Sequence, residues 1–341
     1  MVAKVLTVKS SQLQRPVGEV ARLLMRKRLA VAESLAGALN DPEAVHEFRV
    51  AMRRARSIEK AYRPYLADVV TRKLRRRLKA VVDVTGAARD TEVQLARLAQ
   101  RRADPKPHHR PGFEWLQQRL EQRLEAEYAE LRETLAERFR LVHKPLRARL
   151  KAKRDDPRHS FAEVTAGLLL EASGDFATHC ANILADTSEE PLHIARISGK
   201  RLRYLLEPLV VVLPHSVERV RELKVLQELL GEIHDLQVFG AELAEASEEA
   251  GAARMRKLIE LSLTQPLDAP ELELARQQDE RAGLMSMARE LQTRQADLVE
   301  HLRARLRAGD AEELVAGVRL LAQECARAGL ATEPEEGSPD Q

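Results

Sequence analysis

The sequence predicts an all-α protein built as two tandem four-helix bundles, one per half of the chain. Three observations carry that expectation. Leu, Ala, Arg and Glu recur at helical spacing from about Val17 to Ala328, and no segment alternates apolar and polar residues as a half-buried strand would. Aromatic residues make up only 3% of the chain and charged residues 32%, a usage that favours long helices, because the side chains that dominate it lose little rotamer freedom there. The third observation is a pattern of basic residues that occurs twice, 147 residues apart.

Taken in order, the first ten residues read as extended. Breakers then divide the helical pattern at Asn40-Asp41-Pro42, at Pro64, from Asp104 to Gly112, and at Asp155-Asp156-Pro157. Further breaks fall at Thr187-Ser188 ahead of Pro191, from Pro208 to Pro214, and from Gln265 to Pro270. They delimit four helices before residue 155 and four or more after it, and helices joined by short turns pack antiparallel. Asp41 is the expected N-cap of a helix with Pro42 at its first position, and Ser188 the expected cap of one with Pro191 in its first turn. The expected organisation is a short N-terminal segment (1–14), a first helical half (15–155), a second helical half (156–330) and a disordered acidic tail (331–341).

Cys180 and Cys325 are the only cysteines, far apart and without ligand spacing. That argues against a disulfide scaffold or a zinc cluster, and no cofactor is expected. No apolar run approaches the ~20 residues of a membrane span, and the start has too short an apolar run for a secretory signal. A soluble, cytoplasmic protein is expected. The net charge of +3 hides an uneven distribution. Residues 45–79 carry twelve Lys/Arg against Glu47, Glu59 and Asp68, whereas residues 240–341 carry twelve against twenty-one Asp/Glu. Such asymmetry points to a localised anion site.

The repeat has two parts. His46, Arg49, Arg53, Arg54 and Arg56 match His193, Arg196, Lys200, Arg201 and Arg203 at an offset of 147. Further on, Leu78-Lys79 leads to Gly86 and Arg89-Asp90, while Leu223-Lys224 leads to Gly231 and His234-Asp235, at an offset of 145. Two motifs in one order with nearly one displacement indicate internal duplication.

At ~3.6 residues per turn, positions i, i+3, i+7 and i+10 fall within about 80° of one another. His46, Arg49, Arg53 and Arg56 therefore share a face, as do His193, Arg196, Lys200 and Arg203, and Lys60 extends the first row. Opposite them lie Phe48, Met52, Ala55, Ile58 and Tyr62 on the first helix, and Ala195, Leu202, Leu205 and Leu206 on the second. Stacked cations repel, and only Glu47 and Glu59, both off the row, lie between His46 and Lys60. An external polyanion would relieve that repulsion, with Arg donating paired hydrogen bonds to phosphate and Lys acting as a point charge.

Each histidine has two ligand-binding readings. A protonated ring would pair with phosphate, and a neutral ring would donate one hydrogen bond; a capping or core role is the plain alternative. Arg72, Arg75 and Arg76 extend the basic side ahead of Lys79. Lys79, Arg89, Lys224 and His234 are further candidates for the ligand, with Asp90 and Asp235 orienting a neighbouring Arg or His. Gly86 and Gly231 would allow close helix or ligand approach. Ordinary helix packing for the glycines and structural ion pairs for the aspartates fit equally well.

The Val/Leu-His-x-x-Arg-x-x-x-Arg/Lys-Arg-x-Arg motif, present twice, and the Gly-x-x-Arg/His-Asp motif, present twice, resemble the CHAD family, the conserved histidine α-helical domain. The pattern runs from roughly residue 15 to 328. The resemblance implies two four-helix bundles related by a pseudo-two-fold axis, with basic helices facing a central groove or pore. It also implies binding of inorganic polyphosphate and association with polyphosphate granules. The alternating Glu-x-Glu-x-Lys strand of the triphosphate-tunnel domain that precedes many relatives is absent, so a stand-alone binding module is expected. Thr85-Gly86 stands where the second copy has Leu230-Gly231, and Ser198-Gly199 replaces Ala51-Met52; neither change removes a cation.

The expected function is non-catalytic polyphosphate binding. A phosphohydrolase or phosphotransferase using His46 or His193 as nucleophile is one alternative, but paired carboxylates at metal spacing, a Walker-type glycine loop and an Arg-His-Gly signature are all missing. Weak, non-specific nucleic-acid binding is another; few aromatics are available for base stacking, and the rows lack interleaved Asn or Gln for reading base edges. Oligomeric state leaves no signature in the sequence.

Overall fold

The computed structural model describes residues 6–39, 41–101, 106–151, 158–186, 188–277 and 279–330. The expected acidic tail, the Asp155-Asp156-Pro157 break, Asn40, Asp104 and Thr187 lie outside the described residues. Within them the regular structure is all helical, apart from one isolated antiparallel bridge between Pro16 and Ser160. The expected all-α fold is observed. Residues 6–9 carry no regular structure and the first helix already begins at Ser10, one residue inside the segment expected to be extended, whose first five residues lie outside the described residues.

The helices are α1 (Ser10–Leu13), α2 (Val17–Leu35), α3 (Pro42–Ala61), α4 (Arg63–Leu66), α5 (Arg72–Arg101), α6 (Arg110–Arg149), α7 (Phe161–Ala185), α8 (Glu190–Leu206), α9 (Ser216–Thr264), α10 (Pro270–Gln277), α11 (Glu280–Arg307) and α12 (Asp310–Leu330). Asp41 caps α3 as expected, accepting a hydrogen bond from Glu43 N at 3.1 Å, with Pro42 in the first turn. The expected cap at Ser188 is replaced. The N-cap of α8 is Glu189, which makes no side-chain capping bond. Asp186 instead holds Ser188, accepting from its N at 2.8 Å and its Oγ at 2.9 Å. That local turn consumes the side chain that would otherwise reach the helix.

Two compact units emerge, and each draws on both halves of the sequence. The first comprises residues 1–82, 136–228 and 305–341, and the second residues 83–135 and 229–304. In the first unit α2 packs on α3, α3 meets α8, and α7 lies against both α8 and α12. Phe48, Met52, Leu24, Met25, Phe161 and Phe176 are fully buried there, each contributing about 1.5–3 kcal/mol of transfer free energy. Tyr62, at the end of α3, bonds Thr165 Oγ1 at 3.0 Å and stacks near Phe161, tying α3 to α7. Gly199 lets α8 approach α7, since a Cβ there would stand 3.0 Å from the Phe176 ring.

The second unit is closed by charge as well as by Leu116, Leu120, Leu131 and Phe239. Arg119 grips Glu249 with two bonds of 2.7 and 2.8 Å, and both Arg119 and Arg123 pair with the buried Glu242. Gly112 and Gly283 permit a backbone contact between α6 and α11; a Cβ on either would fall 2.2 Å from a carbonyl oxygen.

Candidate functional site

The apolar stripe of α3 predicts which way its cations point. Ala44, Val45, Phe48, Ala51, Met52 and Ala55 are buried, so the opposite face is left toward solvent. His46, Arg49 and Arg53 are partly exposed along it, and Arg56 and Lys60 are exposed. At the start of α5, Arg72, Arg76 and Lys79 are exposed and Arg75 partly so. Among the described residues, no carboxylate stands within ion-pair distance of Arg53, Arg56, Lys60, Arg72 or Arg76. Glu59 would be the natural neutraliser on α3, but it is buried. It pairs with Arg63 at 3.1 Å and lies 3.8 Å from Arg75, whose Nη1 also donates to Val70 O. Arg53, Arg56 and Lys60 on α3, and Arg72 and Arg76 on α5, are therefore cations without a local carboxylate among the described residues. The Nε of Arg53 is buried without a hydrogen-bond partner, while the residue as a whole is partly exposed.

The second row differs. The apolar face of α8 is buried as expected through Ala195, Leu202, Leu205 and Leu206. His193 is exposed, and Arg196, Lys200, Arg201 and Arg203 are partly exposed. Arg201 turns to α7, donating to Asp175 at 3.0 Å and Glu171 at 2.8 Å. Lys224 lies 3.6 Å from Glu228.

Arg54 of the first helix also fails to face open solvent. Its side chain is 13% exposed and pairs at 3.1 Å with Glu207, which is 8% exposed. Arg203 Nε stands 3.8 Å from the same carboxylate. The Tyr204 ring lies beneath both guanidiniums, 5.3 Å from Arg203 and 6.0 Å from Arg54. Arg28 of α2 joins this buried cluster. Burial, helped by the charge of Arg54 and opposed by Glu207, lowers its pKa to about 10. It remains a cation near neutral pH.

Sequence reasoning missed Arg28, Tyr204 and Glu207. A signal existed for Arg28, which sits three residues after Met25 and four before Ala32, on the core face of α2. Arg89, Asp90, His234 and Asp235 belong to the second unit rather than to the unit holding both rows. There Arg89 is 3.0 Å from Glu92 at i+3, which also takes the Tyr128 hydroxyl. A Cβ at Gly231 would meet nothing within 4 Å, so close helix packing does not explain that glycine. Among the described residues no group of three or more His, Cys, Asp or Glu is placed to hold a metal ion. No helix of the described chain is long and apolar enough to cross a membrane.

The CHAD domain family matches residues 21–244, about two thirds of the chain, and spans both basic helices. The chain belongs to the CHAD family. Solved structures agree at the level of fold. The CHAD domain from the plant Ricinus communis superposes with a TM-score of 0.60 at 20% identity, covering 93% of this chain and 96% of that one. PptA from Streptomyces chartreusis gives 0.53 at 14% identity, covering 91% and 99%. No curated protein matches the chain. The CHAD match begins and ends inside the helical region, taking in α3, α5, α8 and the first part of α9.

Proposed function

We propose that this CHAD protein binds inorganic polyphosphate through the cationic faces of its duplicated helices, without catalysis, and that it does so in the cytoplasm at polyphosphate granules. The observation that supports this most is that Arg53, Arg56 and Lys60 on α3 and Arg72 and Arg76 on α5 have no carboxylate within ion-pair distance among the described residues, while the buried Glu59 pairs with Arg63. His46, Arg49, Arg75, Lys79, His193, Arg196, Lys200 and Arg203 complete the contact set, with Arg54, Arg201 and Lys224 as outlying members. A polymer with about one charge per phosphate can engage successive helical turns and release condensed counter-ions. A lone orthophosphate reaches only one or two of these side chains. Arg forks give each contact two parallel hydrogen bonds.

Displacement of a fluorescent long-chain polyphosphate from the full chain, read by anisotropy at moderate salt, tests the reading. Unlabelled long-chain polyphosphate should displace it at far lower phosphate concentration than orthophosphate, and duplex DNA should displace it poorly. Incubation with Mg²⁺ should release no phosphate. Equal potency of orthophosphate would remove the polymer from the account. Stronger displacement by DNA would make the face a nucleic-acid surface, and phosphate release would make the protein an enzyme.

A further inference from the structure

The two basic rows carry different electrostatic surroundings, and one residue marks the difference. The offset that pairs His46 with His193 also pairs Lys60 with Glu207. The first row ends on an exposed cation, and the second on a buried glutamate. Glu207 accepts a hydrogen bond from Arg54 Nη2 at 3.2 Å and lies 3.8 Å from Arg203 Nε. Arg201, the counterpart of Arg54, is held by Asp175 and Glu171. Nothing comparable neutralises Arg53, Arg56 or Lys60 among the described residues.

We propose that Glu207 is an internal counter-ion that competes with the external polyanion for the second row, leaving α3 and the start of α5 to carry most of the grip on polyphosphate. This rests on the polyphosphate reading above and assigns unequal work to the two rows. Arg28, Arg54 and Arg203 are three mostly buried guanidiniums, and buried cations require a fixed counter-ion when no ligand is present. One carboxylate cannot accept all of their donors: Arg54 Nε, Arg54 Nη1 and Arg203 Nε are buried without a hydrogen-bond partner. Arg54 and Arg203 together therefore carry more positive charge than Glu207 alone balances. A phosphate chain lying along α8 must either displace Glu207 or sit beside a like charge. Along α3 it meets Lys60 at the matched place, and attraction replaces repulsion.

Three variants of the full chain test this, with labelled long-chain polyphosphate as probe and binding and melting temperature as readouts. Glu207→Gln removes the competitor. Its ligand-free melting temperature should fall, yet it should bind about fivefold tighter or better, and polyphosphate should raise its melting temperature more than it raises that of the parent. Glu47→Gln removes one negative charge from α3 off the row and should change affinity by less than about twofold. Lys60→Glu places on α3 the charge that α8 carries at the matched position. Because Lys60 is exposed, folding should be unaffected, while affinity should drop about tenfold or more.

Binding by Glu207→Gln no tighter than by Glu47→Gln overturns the competition. Parental affinity in Lys60→Glu overturns the assignment of the grip to α3, and this arm decides even where Glu207→Gln fails to fold. Absence of polyphosphate binding by the parent protein refutes the underlying reading instead, so the two failures are distinguishable.

Discussion

The Arg54–Glu207 pair allows a quantitative test of how the first unit is held together. At 3.1 Å, with an effective dielectric of about 20, the gross Coulomb attraction is about 5 kcal/mol. Desolvation of two side chains that are only 13% and 8% exposed offsets much of it. Two buried donors of Arg54 without partners add to that cost. The pair is thus worth little against an apolar replacement, but breaking it from one side is expensive. Arg54→Met leaves Glu207 with Arg203 at 3.8 Å and relieves the repulsion on Arg28, so the loss should sit near about 2 kcal/mol. Glu207→Leu takes the paired carboxylate from Arg54 and Arg203 and should cost about 3–5 kcal/mol. The double variant should cost less than the sum by about 1.5 kcal/mol or more. Urea unfolding followed by far-ultraviolet circular dichroism on the four proteins gives the cycle. Additivity within about 0.5 kcal/mol would falsify the description of Glu207 as shared counter-ion.

Other consequences concern the scaffold. Tyr62→Phe removes a buried hydroxyl bonded to Thr165 and should destabilise by about 1–2 kcal/mol, with Tyr62→Phe/Thr165→Val recovering part of the loss; no recovery would mean that the bond is unimportant. Asp41→Ala should cost about 1 kcal/mol through the lost cap, whereas Ser188→Ala should not act as a cap deletion on α8, because Glu189 is the N-cap. Burial pushes the Cys180 thiol up to about 12 and the Cys325 thiol up to about 11. Neither should react with an aromatic disulfide reagent at pH 8 until the protein unfolds, and rapid labelling of the native protein would contradict their burial.

The fold class was legible because helical periodicity is a local property. Phe48, Met52 and Ala55 recur on one side of α3 and the cations on the other, and burial follows that division. The Asp41 cap was legible for the same reason, lying within three residues of its partner. The Ser188 cap was misread because Asp186, two residues away, offers a competing acceptor that spacing alone does not rank. The composition of the two compact units could not be read from the repeat. It depends on α5, α6, α9 and α11 each contributing residues to both units, with the 40-residue α6 and the 49-residue α9 running far beyond the basic motifs.

Of the candidate site, the α3 face was visible as spacing, and the buried cluster was not. Arg54 and Glu207 are 153 residues apart, and only folding brings α8 against α3. The rule that i+4 carboxylates relieve stacked cations would have found Glu207 beside Arg203, had the second row been followed one turn further.

The salt dependence of polyphosphate binding, measured for the parent and for Arg53→Gln and Arg56→Gln singly and together, tests the anion face most directly. Each cation that contacts a phosphate should contribute about 0.7–0.9 to the slope of log affinity against log salt. The account predicts that the slope falls by about that amount for each substitution, with melting temperatures unchanged. A slope that stays at the parental value in the double variant would contradict it, because the cations of α3 would then not be where the polymer binds.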